Sequence, residues 1–206
     1  MMNESLKLTK GMPLKLTKAI NYDKEATIGL GWDISRYTGS ADFDLDLILF
    51  MCDENKRCIS DEHFIWFRHL ADKWGAIRHT GDNRTGIGDG DDESAKIVFS
   101  KVPADVKHIV IAVTMFNGKE NGQNFGLVDN AYIRLLDDKD VEKAKYELSE
   151  RNDTADKYSM IFAEFSRISD TEWQMIPVEK GYHKTLEELV TFYGLDLAYL
   201  VQKYCQ

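Results

Sequence analysis

The chain has 206 residues, of which 43% are hydrophobic and 30% are charged. This is enough for one large domain with its own core, and only 3 prolines and 14 glycines argue against a disordered or fibrous chain. The net charge is −9, so the chain lacks the basic face that binding to nucleic-acid phosphates requires. An acidic excess does suit a hard cation such as calcium or magnesium.

Most of the chain consists of short runs rich in β-branched and aromatic residues, separated by clusters of Gly, Asp and Asn. In chain order this pattern predicts strands at 6–10, 14–18, 26–32, 43–51, 64–67, 95–99, 108–116, 131–136, 145–148 and 173–178. The run 158–165 fits either a strand or an amphipathic helix. Many short strands of this kind are typical of a β-sandwich.

The C-terminal segment changes to a helical period. Apolar residues in 185–193 and in 196–204 recur at helical spacing, and Gly194 is a natural stop between the two helices. We therefore predict a mostly-β fold, a two-sheet β-sandwich with a short helical C-terminal tail at about 184–206. No Pro- or Ser-rich linker divides the chain, so residues 1–206 are predicted to form a single domain.

The termini and cysteines place limits on the location of the protein. The first 20 residues are polar and basic and do not resemble a secretory signal. No apolar run approaches the roughly 18 residues of a membrane span. We expect a soluble, cytoplasmic protein, and we interpret Cys52, Cys58 and Cys205 as free thiols because they lack the paired spacing of a zinc site.

The acids are concentrated in one glycine-rich segment, residues 79–93 (HTGDNRTGIGDGDDE). Carboxylates this close repel one another unless a cation neutralises them. Glycines let the backbone turn tightly and direct carbonyl oxygens inward. Together with the side-chain amide of Asn83, these are the oxygen ligands that calcium prefers. The segment favours a calcium site, and the alternative is a solvated acidic loop.

A second acidic cluster precedes the longest apolar run. Asp42, Asp44 and Asp46 alternate with apolar residues, so on a strand the three carboxylates share one face. A metal shared with the glycine-rich segment would remove their repulsion. Asp33, which follows 29–32, is a further candidate, although alone it fits a turn or cap equally well. The two clusters exceed the needs of one ion, so we expect two calcium ions.

Familiar motifs do not explain these acids. An EF-hand that started at Asp42 would need Gly and Glu where Leu47 and Asp53 stand. The glycine-rich segment lacks the Gly-Lys-Ser/Thr ending of a phosphate loop. No Ser-His-Asp or Cys-His arrangement is recognisable by spacing.

Taken together, the motifs resemble those of the TerD family of tellurium-resistance and stress proteins. The matching residues are Leu8–Gly11, Gly29-Leu30-Gly31-Trp32-Asp33, Asp44-Leu45-Asp46, the GDN-x-TG…GDDE pattern over 81–93, 123–128, 130–134, Trp173 and Gly181-Tyr182. The resemblance covers nearly the whole chain, and the pattern over 81–93 is long enough to be specific.

The resemblance implies a cytoplasmic, calcium-binding β-sandwich with acidic loops clustered at one edge and no established reaction. It implies these metal ligands: Asp33, Asp44, Asp46, Asp82, Asn83, Gly86, Gly88, Asp91, Asp92 and Glu93. The two glycines would contribute carbonyl oxygens, whereas Asp89 matches a variable place.

We therefore expect a non-catalytic calcium-binding stress protein that acts through calcium-dependent stability or interaction. Its expected partners are calcium and other tellurium-resistance proteins. One alternative is a module that binds a small ligand, such as a cyclic nucleotide, through a bridging calcium. A metal-dependent phosphoesterase is less favoured, because His79 is the only nearby candidate base and a His beside a loop is usually structural.

Overall fold

The computed structural model describes residues 5–33, 43–81, 83, 90–148 and 154–204. Within these ranges the chain forms twelve strands. They are β1 (Leu6–Lys7), β2 (Leu14–Lys15), β3 (Ala26–Asp33), β4 (Leu45–Cys52), β5 (Phe64–Ile65), β6 (Ile77–His79), β7 (Glu93–Ile97), β8 (His108–Met115), β9 (Asp129–Leu136), β10 (Glu142–Glu147), β11 (Ser159–Arg167) and β12 (Trp173–Tyr182). The helices are α1 (Gly118–Asn121), α2 (Leu186–Phe192) and α3 (Leu197–Tyr204), with short 3₁₀ turns elsewhere.

The strands form two six-stranded sheets. The first sheet has the order β1-β10-β9-β3-β7-β6 and the second has the order β2-β12-β11-β8-β4-β5. Among the paired strands just named, only β1 and β10 run parallel. The predicted mostly-β, two-sheet fold is confirmed, and the ambiguous run 158–165 belongs to strand β11.

The two sheets share one apolar core. Ile28 and Leu30 of β3 and Leu47 and Leu49 of β4 belong to it, each separated by one residue along its strand. Successive side chains of a strand point to opposite faces, so this spacing of two directs one face of each sheet inward.

The second sheet is covered on its other face by the C-terminal helices. Ile48 and Phe50 of β4 pack in a second apolar cluster with Leu189 of α2 and Leu200 of α3. Strand β4 is therefore buried on both faces, which explains why its sequence is an almost continuous apolar run. The predicted C-terminal helices are confirmed, and no helix in the described part of the chain is long and apolar enough to cross a membrane.

Local signals account for the ends of α2. Thr185 Oγ1 accepts a hydrogen bond from the Glu188 amide, and the Glu188 side chain accepts one from the Thr185 amide. This capping box satisfies two backbone donors at the start of the helix. Gly194 follows with a φ of +95°, a conformation that glycine adopts without steric cost. Strand β6 and helix α1 are not predicted from the sequence.

Candidate metal centre

The described part of the acidic segment lies at one end of the first sheet. Strand β3 ends at Asp33, whereas its neighbours β7 and β9 begin at Glu93 and Asp129. Because β3 is antiparallel to both neighbours, these three ends lie side by side. Carboxylates that are separated by up to 96 residues in the sequence (Asp33 to Asp129) therefore come to the same end of the sheet.

Asp92 links the end of β3 to Asn83. Its Oδ2 accepts a hydrogen bond from the Trp32 amide at 2.9 Å, and its Oδ1 accepts one from Asn83 Nδ2 at 3.2 Å. The Asp92 amide donates to the Leu30 carbonyl at 2.8 Å, which extends the pairing of β3 and β7 beyond Glu93.

The surroundings of Asp92 disfavour its negative charge. Partial burial raises the pKa of its carboxyl, and the carboxylates of Asp91, Glu93 and Asp33 raise the pKa further, against a lowering by the Trp32 amide. Uncompensated charge of this kind is what a bound cation relieves.

Glu93 connects the two sheets. Its side chain is fully buried, its Oε1 accepts from the Asn83 amide at 3.2 Å, and its Oε2 accepts from the Leu47 amide of β4 at 2.7 Å. Strand β5 pairs only with Leu49 and Phe50 of β4, so it does not reach Leu47. The Glu93 carboxylate therefore accepts the hydrogen bond of the Leu47 amide in place of a carbonyl group from a neighbouring strand.

His79 completes the same junction. Its Nε2 lies 3.1 Å from the Leu47 carbonyl oxygen, and its Nδ1 accepts a hydrogen bond from the Gly81 amide at 3.1 Å. Its Nε2 also lies 3.6 Å from Glu93 Oε2. Both ring nitrogens are occupied, which favours a structural role for the histidine considered above as a candidate base.

Asp33 and Asp129 face each other across β3 and β9, with an irregularity in the register beside them. Asn130 adopts a left-handed conformation at this bulge, with a φ of +53°, and its Nδ2 donates to Asp33 Oδ2 at 2.6 Å. Directly opposed like charges destabilise a strand pair. Asp129 is missed by sequence reasoning, because only the pairing of β9 with β3 brings it to Asp33.

Asp91 lies on the outer face of the first sheet and is held by Arg134. The Arg134 Nε is 2.7 Å from Asp91 Oδ1, and Tyr132 Oη is 3.3 Å from the same oxygen. Tyr132 Oη also donates to the Gly90 carbonyl at 2.7 Å. The carboxylate predicted as a metal ligand is thus partly neutralised by a guanidinium.

The two glycines of β3 make room for this cluster. A Cβ atom at Gly29 would lie 2.1 Å from Asp91 Oδ2, and one at Gly31 would lie 2.4 Å from the Tyr132 ring. Any side chain larger than that of glycine would displace the Asp91 carboxylate or the Tyr132 ring. The Gly-Leu-Gly pattern is therefore explained by close packing on the outer face of β3.

Asp46 lies elsewhere, on the helix side of the second sheet. It is 3% exposed, and its Oδ2 accepts a hydrogen bond from Thr114 Oγ1 at 3.4 Å. Leu45 and Leu47 point into the core between the sheets, so the predicted alternation is confirmed for Asp46 within β4. Asp44 precedes β4, and its carbonyl accepts a hydrogen bond from the Phe116 amide at 2.8 Å. The structure does not bring Asp46 together with Glu93, which lies between the sheets.

Asp46 also contributes to a cavity of about 280 Å³. The cavity lies between β8, α1 and α2, and its wall includes Thr114, Lys119, Tyr158 and Glu187. It is lined by both charged and apolar side chains.

Some of the predicted ligands cannot be placed. Asp42, Asp82, Gly86, Gly88 and Asp89 lie outside the described residues. Within residues 5–33, 43–81, 83, 90–148 and 154–204, no three Asp, Glu, His or Cys side chains form a group that could hold a metal ion. The potential metal ligands described near Asp92 are carboxylates and the side-chain amide of Asn83.

Comparison with known proteins gives a consistent result along the chain. The model of the TerD domain matches residues 4–193. The tellurium resistance protein TerD of Serratia marcescens is 40% identical over 193 residues, covering 93% of this chain and 98% of that protein. General stress protein 16U of Bacillus subtilis is 36% identical over 194 residues, covering 94% of this chain and 99% of that protein.

Solved structures agree with the fold. A homologue of telluride resistance protein from Streptomyces coelicolor superposes with a TM-score of 0.63 at 18% identity, covering 82% of this chain and 95% of that chain. This likeness supports the two-sheet architecture.

The ion pair of Asp91 and Arg134 should contribute measurable coupling. We expect the Asp91→Asn and Arg134→Gln variants, combined in a double-mutant cycle in EDTA, to show a coupling energy of about 1 kcal/mol, because the pair is partly shielded from water. Urea unfolding of the four proteins measures it. A coupling near zero would show that the guanidinium does not hold the carboxylate in solution.

The raised pKa of Asp92 gives a pH dependence of known sign. The folded state binds the Asp92 proton more tightly than the unfolded state, so this group stabilises the fold at low pH and the stability is lost as pH rises through its folded pKa. In EDTA, the Asp92→Asn variant should therefore gain stability relative to the wild type as pH rises above about 4. Urea unfolding from pH 4 to pH 8 tests this, and a difference that is constant with pH would contradict it.

Proposed function

Because this chain belongs to the TerD family, we propose that it is a calcium-binding protein of a tellurium-resistance or general stress response. The family match and the names of the relatives support the stress response. The calcium part of the proposal rests on the acidic end of the first sheet.

The observation that carries the calcium proposal is the position of Asp92. Its partly buried carboxylate has three other carboxylates close enough to raise its pKa. The hydrogen bonds from Trp32 and Asn83 fix its orientation. Among the described residues, the carboxylates and the Asn83 amide gathered here offer oxygen ligands, and oxygen ligands fit a hard cation better than a soft one.

The proposed ligands differ in how well the structure supports them. Asp92, Asn83 and Asp33 are the central candidates, and Asp129 joins them because it faces Asp33. The set also requires oxygens from Asp82, Gly86 and Gly88, which lie outside the described residues. A bound cation would attract the carboxylates at the ends of β3, β7 and β9 and so hold these three strand ends together.

Asp91 and Glu93 fit supporting roles within this proposal. The Asp91 carboxylate is bound to Arg134, and both Glu93 oxygens accept backbone N–H groups. A carboxylate oxygen keeps a lone pair after it accepts one hydrogen bond, so either residue can also contact a cation. We assign Asp44 and Asp46 to the second proposed ion, because Asp46 lies on the opposite face of the second sheet.

Calcium should stabilise the folded protein by mass action. At a free concentration 100 times the dissociation constant, one site adds about 2.7 kcal/mol to the free energy of unfolding. We expect Asp92→Asn to lose most of this gain, whereas Asp170→Asn, which removes the same charge from an exposed turn, should keep it. Urea unfolding of EDTA-treated protein with and without calcium measures both responses.

The two variants separate specific binding from general screening of charge. If calcium stabilises the wild type, Asp170→Asn and Asp92→Asn by the same amount, it acts only by screening charge. If none responds, the acidic segment is a solvated loop and the proposal is wrong.

A second candidate function is suggested by the cavity beside Asp46. Its volume of about 280 Å³ approaches that of small-molecule sites, and a buried carboxylate lines it. A cation held by Asp46 could bridge to the phosphate of a cyclic nucleotide, which a carboxylate alone would repel.

This candidate requires calcium-dependent binding of the nucleotide. Calorimetric titration with cyclic AMP should show binding only when calcium is present, and Glu187→Gln at the cavity wall should change the affinity. Equal heats with calcium and with EDTA, or no heat in either, would exclude the bridged mode.

A further inference from the structure

Two cysteines lie opposite each other where β4 ends in a tight hairpin. Cys52 is the last residue of β4, and an isolated antiparallel bridge pairs it with Cys58. Both are free thiols, and they are 0% and 7% exposed. Cys52 belongs to the second sheet and Cys58 pairs with it, so the proposed calcium centre at the end of the first sheet does not involve them.

The register of the hairpin brings the two cysteines close together. The Asp53 amide donates to the Arg57 carbonyl at 2.9 Å on one side of the pair, and the Ile59 amide donates to the Met51 carbonyl at 3.3 Å on the other. The cysteines therefore occupy the non-hydrogen-bonded position between two bonded rungs. Residues at such a position have Cα atoms about 4.5 Å apart, which lies within the disulfide range of about 4.4–6.8 Å.

The two side chains also leave the hairpin on the same face. Residues directly opposite in an antiparallel pair share a face, and Cys52 and Cys58 both belong to the apolar cluster between the second sheet and the helices. A disulfide between them would close a ring without moving the strands apart.

The C-terminal helices cover this pair. The Cys58 amide donates to the Tyr193 carbonyl at 2.9 Å, and Arg57 Nη1 donates to the Phe192 carbonyl at 2.7 Å. The Tyr193 ring stacks on Phe50 with centroids 4.3 Å apart. These contacts fasten the end of α2 to the hairpin and exclude water from the thiols.

Burial keeps the thiols unreactive while the helices are docked. It raises the pKa of Cys58 to about 12 and raises the pKa of Cys52 as well, so the nucleophilic thiolate is scarce. Reaction at the pair therefore depends on movement of the covering helices.

We propose that Cys52 and Cys58 form a redox-active dithiol, which a peroxide converts to an intramolecular disulfide when the C-terminal helices leave the hairpin. The more exposed Cys58 reacts first. Its thiolate attacks one peroxide oxygen, the O–O bond breaks, and Cys58 becomes a sulfenic acid while the leaving hydroxide takes up a proton. Cys52 then attacks the Cys58 sulfur and water leaves. In sum, the two thiols lose two electrons and two protons, and hydrogen peroxide is reduced to two water molecules.

The experiment uses the full chain with Cys205→Ser, so that only the pair can react. After treatment with hydrogen peroxide and alkylation, intact mass spectrometry should show a loss of two hydrogens, with both thiols blocked to alkylation together. Cys52→Ser in the same background should instead accumulate oxygen adducts on Cys58.

Gating by the helices is tested at the contact with Arg57. Arg57→Ala should oxidise about tenfold faster, because it loses a charged hydrogen bond that fastens α2. Gly194→Ala should act in the same direction, since its Cβ would lie 2.7 Å from the Arg57 guanidinium. Arg78→Ala removes a guanidinium of β6 in the first sheet that pairs with Glu25, and it should leave the rate unchanged.

Three results would overturn the proposal. They are independent oxygen addition at each thiol, a disulfide between two chains on a non-reducing gel, and an oxidation rate that is equal in Arg57→Ala, Gly194→Ala and Arg78→Ala. Circular dichroism of each variant before oxidation establishes that folded protein is compared, and Gly194→Ala serves as the gating variant if Arg57→Ala does not fold.

Discussion

The carboxylates at one end of the first sheet repel one another, and the groups around them are arranged to offset this repulsion. Four of the acids there accept hydrogen bonds from different partners. Glu93 accepts two backbone N–H groups, Asp91 is paired with Arg134, and Asp33 accepts from Asn130. Asp92 accepts from Trp32 and Asn83, yet its pKa remains raised by burial and by its neighbours. The raised pKa marks Asp92 as a place where a bound cation would relieve repulsion.

The same residues join this end to the rest of the molecule. Asn83 contacts Asp92 through its side chain and Glu93 through its amide, and Glu93 contacts Leu47 in the second sheet. Strand β4, which contains Leu47, is buried between the first sheet and the C-terminal helices. A cation that fixes Asn83 and Asp92 would thus stabilise a connection between both sheets, which is a physical route to calcium-dependent stability.

Much of the fold follows from local pattern, whereas the detail of the site does not. The period-two runs predict most strands, and the helical spacing of apolar residues together with Gly194 predicts the C-terminal helices. The pattern cannot show that Asp91 meets Arg134, 43 residues away, or that Asp129 faces Asp33, because both contacts depend on which strands become neighbours. Strand alternation predicts that Asp46 points away from the face that carries Leu45 and Leu47. It does not show that the C-terminal helices cover the Asp46 face, and therefore that Asp46 lies apart from the glycine-rich segment.

The protonation of Asp92 with and without calcium would decide whether this carboxylate belongs to a cation site. Carboxyl carbon chemical shifts, followed by NMR through a pH titration in EDTA, should give an Asp92 pKa above that of an ordinary aspartate. Saturating calcium should move the same pKa below the ordinary value, because a bound cation favours the charged form. An Asp92 pKa that is raised in EDTA and unchanged by calcium would contradict the account.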